Sequence, residues 1–152
     1  MPISHRWLDY QKSIILRDYT GTVGFNEHMS EMAVYQSATT DLSYPFDLIV
    51  DLSKIENLDI RYSGLLTSVM EALRQEKHQE RLTIVVGANR YFARILSVAD
   101  SAMSIYTKQR RVVSKETREE ALSHLEELRR VSKEPLSLLP ADQQPLITPD
   151  TV

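Results

Sequence analysis

Two short apolar runs constrain this chain more than anything else in it: FDLIVDL, from Phe46 to Leu52, and LTIVV, from Leu82 to Val86. Leu48, Ile49 and Val50 follow one another without a polar break, as do Ile84, Val85 and Val86. A strand of that kind has no face to turn toward water, so it must be covered on both sides. Parallel strands joined by crossover helices provide such cover. The segments after each run carry the matching helical period. Leu65, Leu66, Val69 and Leu73 share one face of a helix expected over 60–77, with Asp59 as its N-cap. Phe92, Ile95, Leu96 and Ala99 share a face of another, starting near Asn89.

The N-terminal part predicts a β-hairpin. Ile3 to Leu8 reads as one strand, Asp9 to Lys12 as a polar turn and Ser13 to Tyr19 as the second strand. Thr20 to Gly24, with two glycines, is expected to break that strand. A helix follows over Phe25 to Thr39, with Phe25, Met29, Met32 and Gln36 as its buried face, flanked by His28 and Ala33. Arg111 to Val113 predicts a short strand. The last helix has Ser114 as N-cap and Ala121, Leu122, Leu125 and Leu128 as its buried stripe. Its early glutamates and late arginines, Arg129 and Arg130, suit the helix dipole. Beyond Val131 the composition shifts, and four of the six prolines fall there. The expected division is therefore one domain over 1–130 and a flexible, Pro-rich tail over 131–152.

Composition narrows the function. The 152 residues suffice for one domain with a real core. There is no cysteine, which removes disulfides, thiolate catalysis and Cys-based zinc sites. The net charge of −3 argues against a dedicated nucleic-acid binder. No apolar stretch has the length of a signal peptide or a membrane span, so a cytoplasmic protein that is not transmembrane is expected. The histidines (His5, His28, His78 and His124) show no metal-ligand spacing, and no metal or cofactor is expected.

The strand LIVDLSKIENLD (Leu48 to Asp59) and Ser63-Gly64 opening a helix resemble the STAS superfamily. The segments TIVVGANRYFARIL (Thr83 to Leu96) and VVSKETREEALSHL (Val112 to Leu125) carry the same likeness. Within that superfamily the chain is similar to the SpoIIAA-like, STAS/SEC14-type small proteins, over about residues 3 to 130. The resemblance implies an α/β fold: a mixed, mainly parallel sheet of about five strands, an N-terminal β-hairpin and four helices. It also implies a phosphoacceptor after an Asp, in a run of two small hydroxyl residues and Gly. Here the matching segment is Asp59-Ile60-Arg61-Tyr62-Ser63-Gly64, which departs from that run and leaves Ser63 as the candidate.

Other candidates come from the residues themselves. Gly87-Ala88-Asn89-Arg90 joins a strand to a helix start, where backbone N–H groups can meet an anion; Asn89, Arg90 and Arg94 are its candidate contacts. An ordinary strand-to-helix turn capped by Asn89 has the same sequence. Lys108 and Arg110 lie in a basic run suited to an acidic partner or a headgroup, or to a solvated loop beside an edge strand. Asp51 and Asp59 sit where catalytic carboxylates often lie, but with no nucleophile or base in a recognisable set they read as loop and cap residues. The expected function is thus a non-catalytic regulatory module of the STAS type that binds another protein, with homodimerisation open to it. The alternative is a carrier of a small molecule or lipid held between helices and sheet.

Overall fold

The computed structural model describes residues 2–59, 79–88, 111–134 and 136–151. β1 (Ile3–Trp7) and β2 (Ile14–Gly24) form the hairpin the sequence predicts, pairing antiparallel from Ile3 opposite Tyr19 to Trp7 opposite Ile15. Buried Asp9 organises the turn between them. Its carboxylate accepts the backbone N–H groups of Ser13 (2.8 Å) and Ile14 (2.9 Å) and the Ser13 hydroxyl. Lys12 completes the turn in the left-handed region at φ 52°.

The expected break at Thr20 to Gly24 does not occur. β2 runs on to Gly24, and the irregular stretch is taken up by two register shifts against the next strand, around Asp18–Thr20 and Gly21–Thr22. Gly21 supplies the left-handed conformation there, at φ +65°. Gly24 then opens α1 (Phe25–Thr39), its N–H donated to the Glu27 carboxylate.

The sheet has six strands in the order β5-β4-β3-β2-β1-β6. β3 (Phe46–Asp59), β4 (Glu80–Val86) and β5 (Arg111–Lys115) continue it parallel from β2. β6 (Leu146–Ile147) lies antiparallel on the other side of β1. Two expectations are corrected here. Among the described residues the strands number six, not about five, because the tail contributes a strand too short to carry a period-2 pattern. The sheet is mixed rather than mainly parallel, since both pairings of β1 are antiparallel. Of the four expected helices, the described residues hold two, α1 and α2 (Arg118–Ser132). The spans expected for the second and third helices lie outside the described residues.

The apolar runs behave as their composition requires. Leu48, Val50 and Leu52 join a core cluster beneath α1 with Ile3, Trp7, Ile15 and Phe46. Ile49 points the other way and joins Ile14, Leu16, Leu82, Ile84 and Val86 beneath Ala121 and Leu125 of α2. Each such side chain contributes about 1.5–3 kcal/mol when fully buried.

Both helices depart from the pattern expected of them. The buried residues of α1 are His28, Tyr35 and Thr39, whereas Phe25 and Met29 are 48% and 38% exposed. Tyr35 and His28 meet polar groups of the sheet, Glu80 and the Tyr19 hydroxyl, and Thr39 donates back to the Tyr35 carbonyl. In α2 the cap is Thr117, whose side chain accepts the Glu120 N–H, and not Ser114, which is still in β5. Ala121, Leu125 and Arg129 are its buried residues, and Leu128 is exposed. The helix ends at Lys133, in the left-handed region at φ 58°, after which residues 136–151 run back along β1.

Candidate functional site

Three polar assemblies are built into this frame. The first lies past the middle of the parallel strands, on the α2 side. Asp18 of β2 and Asp51 of β3 are register partners. Arg118, the first residue of α2, reaches both: its Nε–H donates to Asp51 and an Nη2–H donates to Asp18 Oδ2 at 2.8 Å. Asp51 also accepts the Ser53 N–H (2.8 Å) and hydroxyl. Burial pushes the Asp51 carboxyl up, but the Ser53 hydrogen bonds and Arg118 outweigh it and hold it below the usual carboxylate range. Gly87 closes this end of β4 at φ +69°, and a Cβ there would stand 2.9 Å from Ser53 Cα and Cβ. Only glycine permits that approach. Its N–H donates to the Lys115 carbonyl at 3.0 Å. Of the backbone donors in the Gly87-Ala88-Asn89-Arg90 turn, the Gly87 N–H is thus engaged within the sheet.

The second assembly is buried beneath α1. His5 alternates inward with Ile3 and Trp7 and is 0% exposed. The Arg17 Nε–H donates to His5 Nε2 at 2.8 Å, so Nδ1 carries the ring hydrogen and donates to Glu31 Oε2 at 3.2 Å. Arg17 also lies 4.6 Å from the centre of the Tyr35 ring, which stacks on His5 at 5.4 Å. His5 is pushed down to about 2, by burial first and then by the Arg17 charge, so the contact with Glu31 is a hydrogen bond from a neutral ring. His28 lies 3.3 Å from the Tyr19 hydroxyl through Nδ1 and is pushed down to about 4 for the same two reasons. Burial raises Tyr19 and Glu31. Tyr35 donates to Glu80 at 2.6 Å.

That last contact depends on a bulge. Phe46 pairs with Glu80 but Asp47 pairs with Leu82, so Arg81 is an extra residue. Glu80 consequently shares the α1 side with Phe46, and Arg81 is free to turn toward α2. There it enters the third assembly, at the amino end of the parallel strands. Asp47 accepts from Arg81 Nη2 at 2.9 Å and from Arg129 Nη2 at 2.8 Å. Arg81 Nη1 donates to Glu134 at 2.8 Å, and Arg129 Nη1 donates to the Ser13 hydroxyl at 2.7 Å. The hydroxyl passes the chain on to Asp9.

The candidates from the sequence fare differently. Ser63, Asn89, Arg90, Arg94, Lys108 and Arg110 lie outside the described residues. Asp59 ends β3 opposite Gly24. Asp51 is no simple loop residue: it is buried and ion-paired. The residues that sequence reasoning passed over had readable signals. His5 sits at strand spacing between Ile3 and Trp7, and Arg129 follows Ala121 and Leu125 at helical spacing. Each is a polar residue on an apolar face.

No family model and no curated protein matches the chain. Among solved structures it is similar to an uncharacterized protein from the DUF3478 family, described as having a SpoIIAA-like fold, from Shewanella loihica PV-4. The match has a TM-score of 0.54 at 13% identity, over 74% of this chain and 83% of the other. The fold is SpoIIAA-like. Among the described residues, no helix is long and apolar enough to cross a membrane.

Chemically, the three assemblies hold their groups in place. Arg118 occupies the carboxylates at the end of the SpoIIAA-like sheet where open α/β folds usually receive ligands. The exposed side chains of α1 include two large apolar ones, Phe25 and Met29, one helical turn apart.

Proposed function

We propose that the chain is a regulatory module of the STAS type that works by binding another protein, and that α1 carries the contact. The observation behind this reading is the exposure of Phe25 (48%) and Met29 (38%) on a helix that docks through other side chains. These two residues and half-buried Met32 line up at helical spacing. Methionine adapts its shape to a partner surface, and an aromatic neighbour supplies an anchor. The carboxylates nearest the usual ligand end are engaged by Arg118, so the described polar groups favour a structural role over chemistry on a substrate.

Two experiments test the proposal together. Native mass spectrometry of the purified chain is expected to give the chain mass alone; an added mass lost on denaturation would favour the carrier of a small molecule or lipid. Crosslinked capture with wild type and with Phe25→Glu/Met29→Glu is expected to yield a protein held by the first and lost by the second. Equal capture by both, with the fold intact, would reject α1 as the contact.

A further inference from the structure

The segment after α2 runs along β1 in a way that its proline content did not reveal. Trp7 donates its N–H to the Pro145 carbonyl at 3.1 Å, Leu139 donates to Leu8 at 2.8 Å and Tyr10 donates to Ser137 at 3.1 Å. His5 and Arg6 pair with Ile147 and Leu146. Only two residues of the segment count as strand, and of residues 137–151 Ile147 alone is buried. Leu138 and Leu146 remain 40% and 39% exposed. The hold is thus a handful of backbone hydrogen bonds, one buried apolar anchor and half-buried Leu136 against the cluster beneath α2, and such contacts open at lower free energy than the core.

What lies beneath is a pairing edge. Ile3–Trp7 contains no proline, Arg6 is its one charge besides the neutral His5 ring, and its register with β2 is unbroken. An uncovered edge with so little protection is a template for another strand. β6 pairs with it antiparallel. Two copies of one strand related by a twofold axis also pair antiparallel, and that contact is closed and self-complementary. A second β1 therefore fits the geometry that β6 already uses.

We propose that residues 136–151 are a displaceable strap that keeps β1 from pairing with β1 of a second copy of this chain. The inference is independent of which partner α1 binds. Opening the strap converts the protein from monomer to a twofold dimer with one continuous sheet. The strap is drawn closed by Ile147, which reaches the core cluster beneath α1.

The test uses the full chain. Ile147→Asp removes the anchor, and Leu139→Pro removes one donor while sparing the core. Either variant, still folded by circular dichroism and melting cooperatively, is expected to sediment as a concentration-dependent dimer. The chain has no cysteine of its own, so Arg6→Cys/Leu146→Cys can lock the strap by one disulfide. The locked form is expected to stay monomeric. Folded released variants that remain monomeric across the same concentrations would overturn the proposal. So would hydrogen exchange of wild type in which the Trp7 and Leu139 amides are protected as strongly as those of Leu16 and Val50.

Discussion

Arg129 near the end of α2 donates to Asp47 at the start of β3 across 2.8 Å, and both side chains are all but sealed from solvent. The pair fastens the last helix to the amino end of the parallel strands. Arg81 and Glu134 extend the fastening to the surface. A buried charge left without its partner is costly. Asp47→Ala should therefore lower stability by about 3–5 kcal/mol. Arg81→Ala should cost clearly less, because Arg81 is one-third exposed. Urea denaturation of the two variants checks the order. Equal losses would mean that Arg129 finds other partners without Asp47.

Acid should weaken the protein through the histidines beneath α1. Both rings have folded pKa values below the ordinary one: about 4 for His28 and about 2 for His5. The unfolded chain then binds more protons, so stability rises with pH. Their contribution is complete above about 6.5, the unfolded value, and is lost as pH falls through the window toward 4. The melting temperature is expected to drop between pH 7 and pH 4.5. His28→Gln should flatten that drop. An unchanged slope in the variant would remove His28 from the explanation.

Gly87 and Gly21 separate two costs. Both have positive φ, but a Cβ at Gly21 meets nothing within 4 Å, whereas one at Gly87 meets the Ser53 backbone at 2.9 Å. Gly21→Ala should cost only the conformational strain, about 1–2 kcal/mol. Gly87→Ala should cost more, since β3 or the turn must also shift. Thermal melts of the two proteins give the comparison.

Thr117 caps α2, so Thr117→Ala should destabilise the protein by about 1 kcal/mol. Ser114, the cap expected from the sequence, lies in β5, is exposed, and should tolerate alanine with a change within about 0.5 kcal/mol. Chemical denaturation of the pair decides between the two positions.

The legible parts of the fold were those governed by burial of apolar surface. LIV and TIVV forecast β3 and β4, and the hairpin and the bounds of α1 followed from pattern and turn residues. Where polar groups are buried, the pattern misled. α1 turns Tyr35 and Thr39 inward because Glu80 and the helix's own backbone satisfy them, and His28 meets the Tyr19 hydroxyl through Nδ1 while its Nε2 is buried without a partner among the described residues, so the apolar strip lies outside. β2 outran its predicted stop because bulges absorb Gly21, and β6 is too short for any periodicity. Among the described residues, the polar assembly at Asp51 was legible in that residue; its cation, Arg118, stands 67 residues away in sequence, a pairing that the topology alone creates.

The most direct test of the central claim, that α1 carries the protein contact, is the affinity of the captured partner for wild type and for Phe25→Glu. Loss of an anchor aromatic should weaken binding by about 2 kcal/mol or more, some thirtyfold. Unchanged affinity in a variant that melts like wild type would contradict the account and place the contact elsewhere on the SpoIIAA-like surface.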